Sequence, residues 1–346
     1  MEKIGVFFTF GKFLALTPSH LYNRKRSFGQ KLYFFVVIVL YTASAISSQY
    51  FRDYSRSKVC EMALKYFKDI IRHCHTFYIL GPLATTKRHY WFKMIKIFRK
   101  NNHISGANPI FFYYFLAWHC LFVTIIVIWI RLCFLLLGLK FLEVYVVEFF
   151  QLYSHLFFMF FACVLLDMFR KFYESRKLKL DQMIRFRPTN FEKYKIDIFR
   201  LTSGIGIFNK IFGPLLILNI LYICDMFLLY VNGLMKTKRH TISPDLYILL
   251  LSYRIGVIVF YWLHVAVMAV LADAISQQYD EIVHLANKLQ LICTKMDRKI
   301  VEDFVEFIGK NRPEIDVAEF FILKRSTIFN ILNFVIYFLI VIVQFK

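Results

Sequence analysis

The sequence predicts an all-α membrane protein: a bundle of seven transmembrane helices with a cytoplasmic N-terminus, an extracellular C-terminus and long cytoplasmic helical extensions. Three observations support this fold class. Apolar residues make up 58% of the chain, and 41 of its 346 residues are Phe, more than a soluble domain of this length buries. Seven apolar runs follow one another, each suited to a hydrocarbon core of ~30 Å. Basic residues concentrate in alternate connections between these runs.

The seven runs form one predicted membrane domain over residues 1–346. Their approximate bounds are 32–48, 62–84, 110–138, 142–168, 203–231, 246–272 and 326–345. The second run is the weakest, because six charged or histidine side chains between Lys65 and His75 interrupt it. Its end, residues 77–84, is apolar enough to continue a span, and the alternative for this segment is a helix that lies in the membrane interface.

The distribution of positive charge predicts the orientation of the chain. Of the 44 Lys and Arg residues, 30 lie in the N-terminal segment and in the connections after spans two, four and six, against 8 in the other connections and at the C-terminus. By the positive-inside rule, the N-terminus is cytoplasmic and the C-terminus is outside. If span two did not cross the membrane, this alternation would break, so the charges favour seven spans.

The net charge of +21 does not predict nucleic-acid binding here. The basic residues lie mostly between the apolar runs, where they orient the chain and contact acidic head groups of the lipid bilayer. We therefore expect the bilayer as a partner and no nucleic acid.

No residue pattern predicts a catalytic centre, a cofactor or a metal site, so we do not expect an enzyme. The segment Arg72-His73-Cys74-His75 offers three adjacent candidate ligands but no fourth. No serine–histidine–aspartate set, phosphate-binding loop or pair of catalytic carboxylates is evident.

Two cytoplasmic stretches, roughly 170–202 and 275–324, are predicted to form anchor helices. The first continues span four until Pro188, after which Thr189 and Glu192 have the spacing of a capping box. The second carries an apolar stripe at helical spacing from Ile282 to Ile308. This stripe predicts either a helix on the membrane surface or a helical layer that packs against other subunits. Its many acidic residues favour the layer, since acidic helices bind anionic lipid poorly.

Four charged residues lie within spans three to six, each roughly 10 Å from the predicted outer face at ~1.5 Å per residue. They are Arg131, Glu148, Asp225 and Arg254. Because charges inside a membrane usually mark function, they predict a ligand pocket, with Tyr253 and Trp262 among its aromatic walls. The alternative is a pair of structural ion pairs, Arg131–Glu148 and Asp225–Arg254. Replacing Asp225 or Arg254 by an apolar residue would then reduce surface expression rather than shift the ligand response.

The last span is apolar and uncharged from Ser326 until Gln344, which places an amide near its outer end. Residues 313–345 resemble the C-terminal signature of the insect gustatory receptor family, which ends in Thr-Tyr, five apolar residues and Gln-Phe. The matching lead-in is Ala318, Phe320-Phe321, Leu323, Arg325-Ser326, Ile328-Phe329 and Ile331-Leu332. Gln344-Phe345 follows five apolar residues as in that family, but Tyr337-Phe338 stands where the family has Thr-Tyr.

The resemblance implies a chemosensory receptor that acts as a ligand-gated cation channel of four subunits, in the plasma membrane of chemosensory neurons. The partners it implies are a small-molecule tastant, monovalent and divalent cations as permeant ions, and identical or sister subunits in a homo- or hetero-tetramer. It also implies a pore lined by the last helix, with Tyr337, Ile340, Val343 and Gln344 as the lining residues. The apolar side chains inward of Gln344 would close such a pore by dewetting.

Two other classes of membrane protein remain as alternatives. A G-protein-coupled receptor would have the opposite orientation, so an N-terminal tag that stains on intact cells would favour it. A transporter built from repeats would show duplicated halves, and no internal repeat is evident.

Overall fold

The computed structural model describes residues 28–52, 59–100, 110–186, 191–236, 243–292 and 298–344, and these residues are mostly helical. The helices are α1 Phe28–Phe51, α2 Val59–Tyr78, α3 Arg88–Lys100, α4 Ile110–Leu137, α5 Phe141–Phe186, α6 Phe191–Lys236, α7 Pro244–Ile292, α8 Arg298–Lys310 and α9 Arg325–Gln344. A π-helical turn, Ile79–Leu83, extends α2, and a 3₁₀ turn, Gly138–Lys140, joins α4 to α5. Each of the seven predicted spans overlaps one of these helices. Thr189, the predicted cap of α6, lies outside the described residues.

Among the described residues, five helices, α1 and α4 to α7, are long and apolar enough to cross a membrane. The apolar part of α9, Arg325–Val341, is shorter. Helices α5, α6 and α7 have 46, 46 and 49 residues. At ~1.5 Å per residue each is roughly 70 Å long, about twice the thickness of a hydrocarbon core. These three helices therefore continue well beyond the membrane at one end.

Helix α2 is amphipathic, but its charged face points into the protein and its apolar face points outward. Its charged residues Asp69 and Arg72 are only 4% and 3% exposed, whereas the apolar side chains of Phe67 and Ile70 are exposed. An interfacial helix would present its charges to water. A helix that points its charges into the protein and its apolar side chains outward is suited to lipid surroundings.

A layer of aromatic side chains fills the bundle near the end of α2. The indole of Trp91 on α3 is fully buried and stacks on Phe161 of α5, with ring centroids 5.7 Å apart. Phe212 of α6 meets the same indole edge-on at 5.8 Å. Each such contact contributes about 1 kcal/mol beyond the burial of its area. We call this layer the aromatic floor.

The predicted apolar stripe from Ile282 to Ile308 is divided between two helices, and the buried face of the second helix does not include Ile300, which we expected on the stripe. Helix α7 ends at Ile292, and the buried face of α8 consists of Val301, Phe304 and Ile308, while Ile300 is exposed. The ring of Phe304 lies 5.1 Å from that of Phe191 on α6. Helices α6 and α7 of the same chain cover Val301, Phe304 and Ile308, so packing against other subunits stays a prediction for the exposed side chains of the stripe, such as Ile300.

A two-stranded hairpin, β1 Asp316–Val317 and β2 Phe321–Ile322, links α8 to α9. Its turn has positive φ at Ala318 (52°) and Glu319 (65°), and the carboxylate of Asp316 accepts the Glu319 N–H at 3.0 Å. The hairpin lies against α6 at Gly213, where a Cβ would be 2.9 Å from the backbone nitrogen of Ala318. Only glycine permits this approach.

Candidate functional site

The functional residues divide between a buried polar cluster and the exposed face of the last helix. The polar cluster lies at the end of the bundle where α2 and α7 begin and α4 and α6 end, the end that the charge distribution predicts to be outside. Its members are Arg52, Lys68, Asp69, Arg72, Glu148, Tyr222 and Asp225. It contains three cations and three carboxylates, so it is close to neutral overall.

Glu148 of α5 is the point at which three helices are joined. It is 1% exposed and forms ion pairs with Arg72 of α2, with Arg52 just after α1 (3.2 Å) and with Lys68 (3.6 Å). Arg52 also pairs with Asp69 at 2.6 Å. A buried carboxylate with several cationic partners is stable only while they remain, since an uncompensated charge is costly in a medium of low polarity.

Arg72 extends the cluster to α6. Its Nη2 donates to the hydroxyl of Tyr222 at 2.7 Å, and its guanidinium lies 5.2 Å from the centre of the tyrosine ring. Arg72 therefore serves as an ion-pair partner on one side and as a cation over an aromatic face on the other. His73 and His75 turn to different neighbours, so the adjacent candidate metal ligands do not converge: His73 contacts Tyr41, and His75 stacks on His155.

Asp225 is the exception within the cluster. It is 2% exposed, and neither carboxylate oxygen has a hydrogen-bond partner among the described residues. Lys68 and Arg72 act on it through charge but do not touch it. A buried carboxylate with free acceptor positions is costly in the unliganded protein and is a ready acceptor for a donor group on a small molecule.

The predicted ion pairs Arg131–Glu148 and Asp225–Arg254 are not present in the described part of the chain. Arg131 is exposed on α4, while Glu148 is bonded to Arg72 instead. The guanidinium of Arg254 packs over Gly233, about 3 Å from where a Cβ would be. Equal depth in the membrane did not bring these residues together, because they project from the helices in different directions.

The predicted aromatic walls are partly assembled. Tyr253 is buried, its ring lies 5.5 Å from Trp129, and its hydroxyl is 3.4 Å from that of Tyr230. Trp262 is half-buried and packs against the core. The structure thus brings Glu148, Asp225 and Tyr253 to the same end of the bundle, whereas Arg131 lies on its surface.

A pair of stacked histidines lies between the polar cluster and the aromatic floor. The rings of His75 and His155 are 4.2 Å apart, and both residues are buried. His155 is hydrogen-bonded to Asn219, but the ring nitrogens of His75 have no partner among the described residues. Together with Asp225, these nitrogens offer polar atoms that a bound molecule or water would satisfy.

Helix α9 carries most of its uncharged polar side chains along one exposed stripe. At 3.6 residues per turn, the stripe lies within an arc of ~80°. Its members, all exposed, are Ser326, Asn330, Asn333, Tyr337, Ile340 and Gln344. The opposite side, with Thr327 and Val335 buried, packs against α6 and α7. Large apolar side chains flank the stripe, including Phe334 and Val341, which are 54% and 46% exposed.

Three of the four predicted pore residues, Tyr337, Ile340 and Gln344, lie on this stripe. The side chain of Val343 is not among those that the structure describes, and its position in the helix is about 100° from the centre of the stripe. Asn330 and Asn333 are the residues that sequence reasoning missed. Asn330 lies four residues after Ser326, Asn333 lies three residues after Asn330, and Tyr337 lies four residues after Asn333, and this helical spacing was the available signal.

The polar cluster was likewise visible in the sequence of α2. Lys65, Lys68, Asp69, Arg72 and His75 recur at three or four residues, which places them on one helical face. We interpreted them only as interruptions of a weak span. The same periodicity predicts a face turned toward other polar groups.

A surface groove of about 610 Å³ lies at the other end of the bundle, between α6 and the hairpin. Thr202, Asn209, Arg312 and Phe320 are among its lining residues. It is open to solvent and shares no residue with the polar cluster. We favour the polar cluster as the ligand site, because its carboxylate is buried without a hydrogen-bond partner.

Comparison with known proteins gives a family and a fold. The family model described as "7tm Chemosensory receptor" matches residues 4–346. The structure of the insect olfactory receptor OR5 from Machilis hrabei is similar, with a TM-score of 0.77 at 12% identity over 100% of this chain and 97% of that chain. The same receptor in complex with eugenol gives a TM-score of 0.73 at 12% identity, covering 100% and 98%. Curated protein sequences give no match.

Proposed function

The chain belongs to the 7tm chemosensory receptor family, and from this premise we propose that it is a gustatory receptor subunit that forms a ligand-gated cation channel. It is a multi-pass membrane protein with the all-α fold of a seven-transmembrane receptor. The proposal concerns what lies beyond the family and fold: the permeant ion, the pore and the ligand.

The observation that carries the channel proposal is the polar stripe of α9. If the exposed side of α9 faced lipid, its amides and hydroxyls would be destabilising, because a polar group exposed to hydrocarbon loses its hydrogen bonds to water. Around a central axis, four such stripes would surround water. Asn330, Asn333 and Gln344 would then present uncharged oxygens to cations, and Ile340 would form a ring narrow and apolar enough to dewet.

We propose the plasma membrane of chemosensory neurons as the location and a homo- or hetero-tetramer as the assembly. One α9 helix per chain leaves most of its large apolar side chains exposed in the monomer. A membrane helix pair gains little from hydrophobicity alone, so neighbouring subunits would be held by close packing of these flanking side chains.

The ligand that fits the polar cluster is a small molecule with at least one hydrogen-bond donor and an apolar or aromatic body. Asp225 supplies the acceptor, and Tyr253 with Trp129 supplies an aromatic surface. The similar receptor from Machilis hrabei has a structure with eugenol, which is consistent with a small-molecule ligand for this chain. We propose a tastant of this description as the agonist.

The experiment is current recording from cells that express the chain, with a panel of tastants and with G-protein signalling blocked. We expect ligand-evoked cation currents. In the Asn333→Cys variant, a positively charged thiol reagent should then reduce the current by more than half, because its charge would stand in the ion path. The Phe334→Cys variant is the matched control, one residue away and off the stripe, and its current should change little.

The unmodified chain is a necessary second control, since Cys74 and Cys120 are exposed free thiols. Equal inhibition of both cysteine variants would contradict a pore lined by the stripe. Currents that disappear when G-protein signalling is blocked would contradict the channel itself.

A further inference from the structure

Three lysines in the segment that follows α2 have no carboxylate partner among the described residues. No Asp or Glu occurs between Asp69 and Glu143, although Lys and Arg occur six times between Lys87 and Lys100. Within the described part of the chain, Lys87, Lys93 and Lys96 form no ion pair. Lys210 of α6, which lies beside this segment, forms none either.

Other basic residues at the same end of the bundle are mostly neutralised. Their ion pairs are Arg170 and Lys171 with Asp167, Arg176 with Asp197, Lys177 with Glu281, Arg312 with Asp280, and Arg325 with Asp273. Lys288 and Lys299 at the same end also form no ion pair in the described part of the chain, so the segment after α2 is distinguished by the way its lysines are grouped.

Two tyrosines gather the unpaired lysines into one patch. The ammonium of Lys87 donates to the hydroxyl of Tyr78 at 2.8 Å and lies 3.3 Å from the backbone oxygen of Lys210. The ammonium groups of Lys210 and Lys93 lie 5.4 and 5.9 Å from the centre of the Tyr90 ring. Both of these lysines are exposed, and Lys87 is half-buried. Aromatic rings thus hold the cations in place without neutralising them.

The patch lies at the level where a membrane helix leaves the hydrocarbon. It follows the apolar turn Ile79–Leu83 and lies between the spanning helix α6 and the basic helix α3. The charge distribution predicts that this is the cytoplasmic side. Partial burial also lowers the pKa of Lys87, an effect that a neighbouring anion would oppose.

We propose that Lys87, Lys93 and Lys210 form a binding site for the head group of a polyphosphorylated inositol lipid. Basic pockets between membrane helices on the cytoplasmic side suit such head groups, because several phosphates are neutralised at once while the acyl chains stay in the bilayer. The lipid would bridge α3 and α6 through its phosphates. It is a different site from the polar cluster and does not depend on the agonist.

The test measures binding of short-chain phosphatidylinositol bisphosphate, with two eight-carbon chains, to the purified full-length protein in detergent. We expect saturable binding that the triple variant Lys87→Gln, Lys93→Gln, Lys210→Gln weakens tenfold or more, since each lysine near a head group contributes roughly fivefold. A variant with Lys→Arg at the same three positions should bind within about threefold of the unmodified protein, because its charge is kept.

The matched control removes three exposed lysines from another part of the same end, with Gln at Lys288, Lys299 and Lys310. It should leave the affinity unchanged within about twofold. An equal loss in both triple Gln variants would overturn the proposal, because the attraction would then be a general effect of charge. Equal affinity for short-chain phosphatidylserine would also overturn it, since the site would then not select for several phosphates. Equal affinity for soluble inositol trisphosphate would overturn it as well, since the site would then not select for a lipid.

Discussion

At the scale of single residues, the main result is the unequal treatment of buried carboxylates. Glu148 has three cationic partners, whereas Asp225 has none among the described residues within hydrogen-bonding distance. Glu148 links α2 and α5 through its ion pairs, whereas the buried carboxylate of Asp225 lowers the stability of the fold because it has no hydrogen-bond donor in the described part of the chain. This difference supports the proposal that Glu148 is structural and that Asp225 binds the ligand.

Replacing Asp225 by Asn should preserve or raise the thermal stability and weaken the agonist response. The amide has nearly the same shape without the buried charge, but it accepts hydrogen bonds from a ligand less strongly. Loss of a charged hydrogen bond of ~1.5–3 kcal/mol corresponds to a shift of roughly ten- to hundredfold in the half-maximal agonist concentration. Current recording and thermal unfolding in detergent measure the two effects.

The control for this substitution is Asp245→Asn, which changes an exposed carboxylate at the start of α7. It should alter neither quantity. A loss of stability at Asp225 without any change in agonist response would assign that residue a purely structural role.

Replacing Glu148 by Gln should destabilise the protein by about 3 kcal/mol, because Arg72 and two further cations lose their buried counter-charge. Glu143→Gln, on the exposed side of the same helix, should cost less than ~0.5 kcal/mol. Tryptophan fluorescence during thermal unfolding in detergent compares the two variants. Equal unfolding temperatures would show that the cluster contributes nothing to stability.

At the scale of elements, the apolar runs indicate where seven of the helices lie, but they do not indicate which face each helix turns to its neighbours. Residue number sets depth along a helix, and Glu148 and Asp225 lie at the same end of the bundle. The rotation of each helix about its own axis decides which side chains face each other, and it places Arg72 rather than Arg131 beside Glu148. The stripes on α2 and α9 did contain this information, since their polar residues recur with helical periodicity.

The contact between the hairpin and α6 depends on Gly213. An alanine there would place its Cβ 2.9 Å from the backbone nitrogen of Ala318, so the hairpin would have to move. We expect Gly213→Ala to destabilise the protein by ~1–3 kcal/mol and to reduce agonist-evoked current, because the hairpin leads directly into α9.

The matched control is Gly206→Ala, one to two turns earlier on α6, where an added Cβ meets nothing within 4 Å. This change should raise the stability by up to ~1 kcal/mol through helix propensity. Thermal unfolding and current recording together test both variants. If both behave alike, the close contact at Gly213 has no consequence.

At the scale of the whole molecule, the seven-transmembrane fold follows from composition, periodicity and charge, and the comparisons support it at an identity of 12%. Orientation and assembly are consequences of the same charges and of the exposed α9, but they concern the membrane and other chains. They therefore remain predictions that require the protein in its bilayer.

An N-terminal tag should stain only after cells are permeabilised, and a C-terminal tag should stain on intact cells, if 30 of the basic residues face the cytoplasm. The purified complex, corrected for bound detergent, should have a mass of four times 41.5 kDa. Staining of the N-terminal tag on intact cells would reverse the orientation and favour a G-protein-coupled receptor. A monomeric mass would remove the shared pore.

Helix α6 carries both Asp225 and Gly213, twelve residues or roughly 18 Å apart on one continuous rod. Under the proposed function, a ligand bound at Asp225 would act on the hairpin at Gly213 through the backbone of α6. Thermodynamic reciprocity then requires that whatever favours the conducting state also tightens agonist affinity by the same factor. Sensitivity to a taste compound would thus be adjustable in evolution at the hairpin, far from the atoms that recognise it.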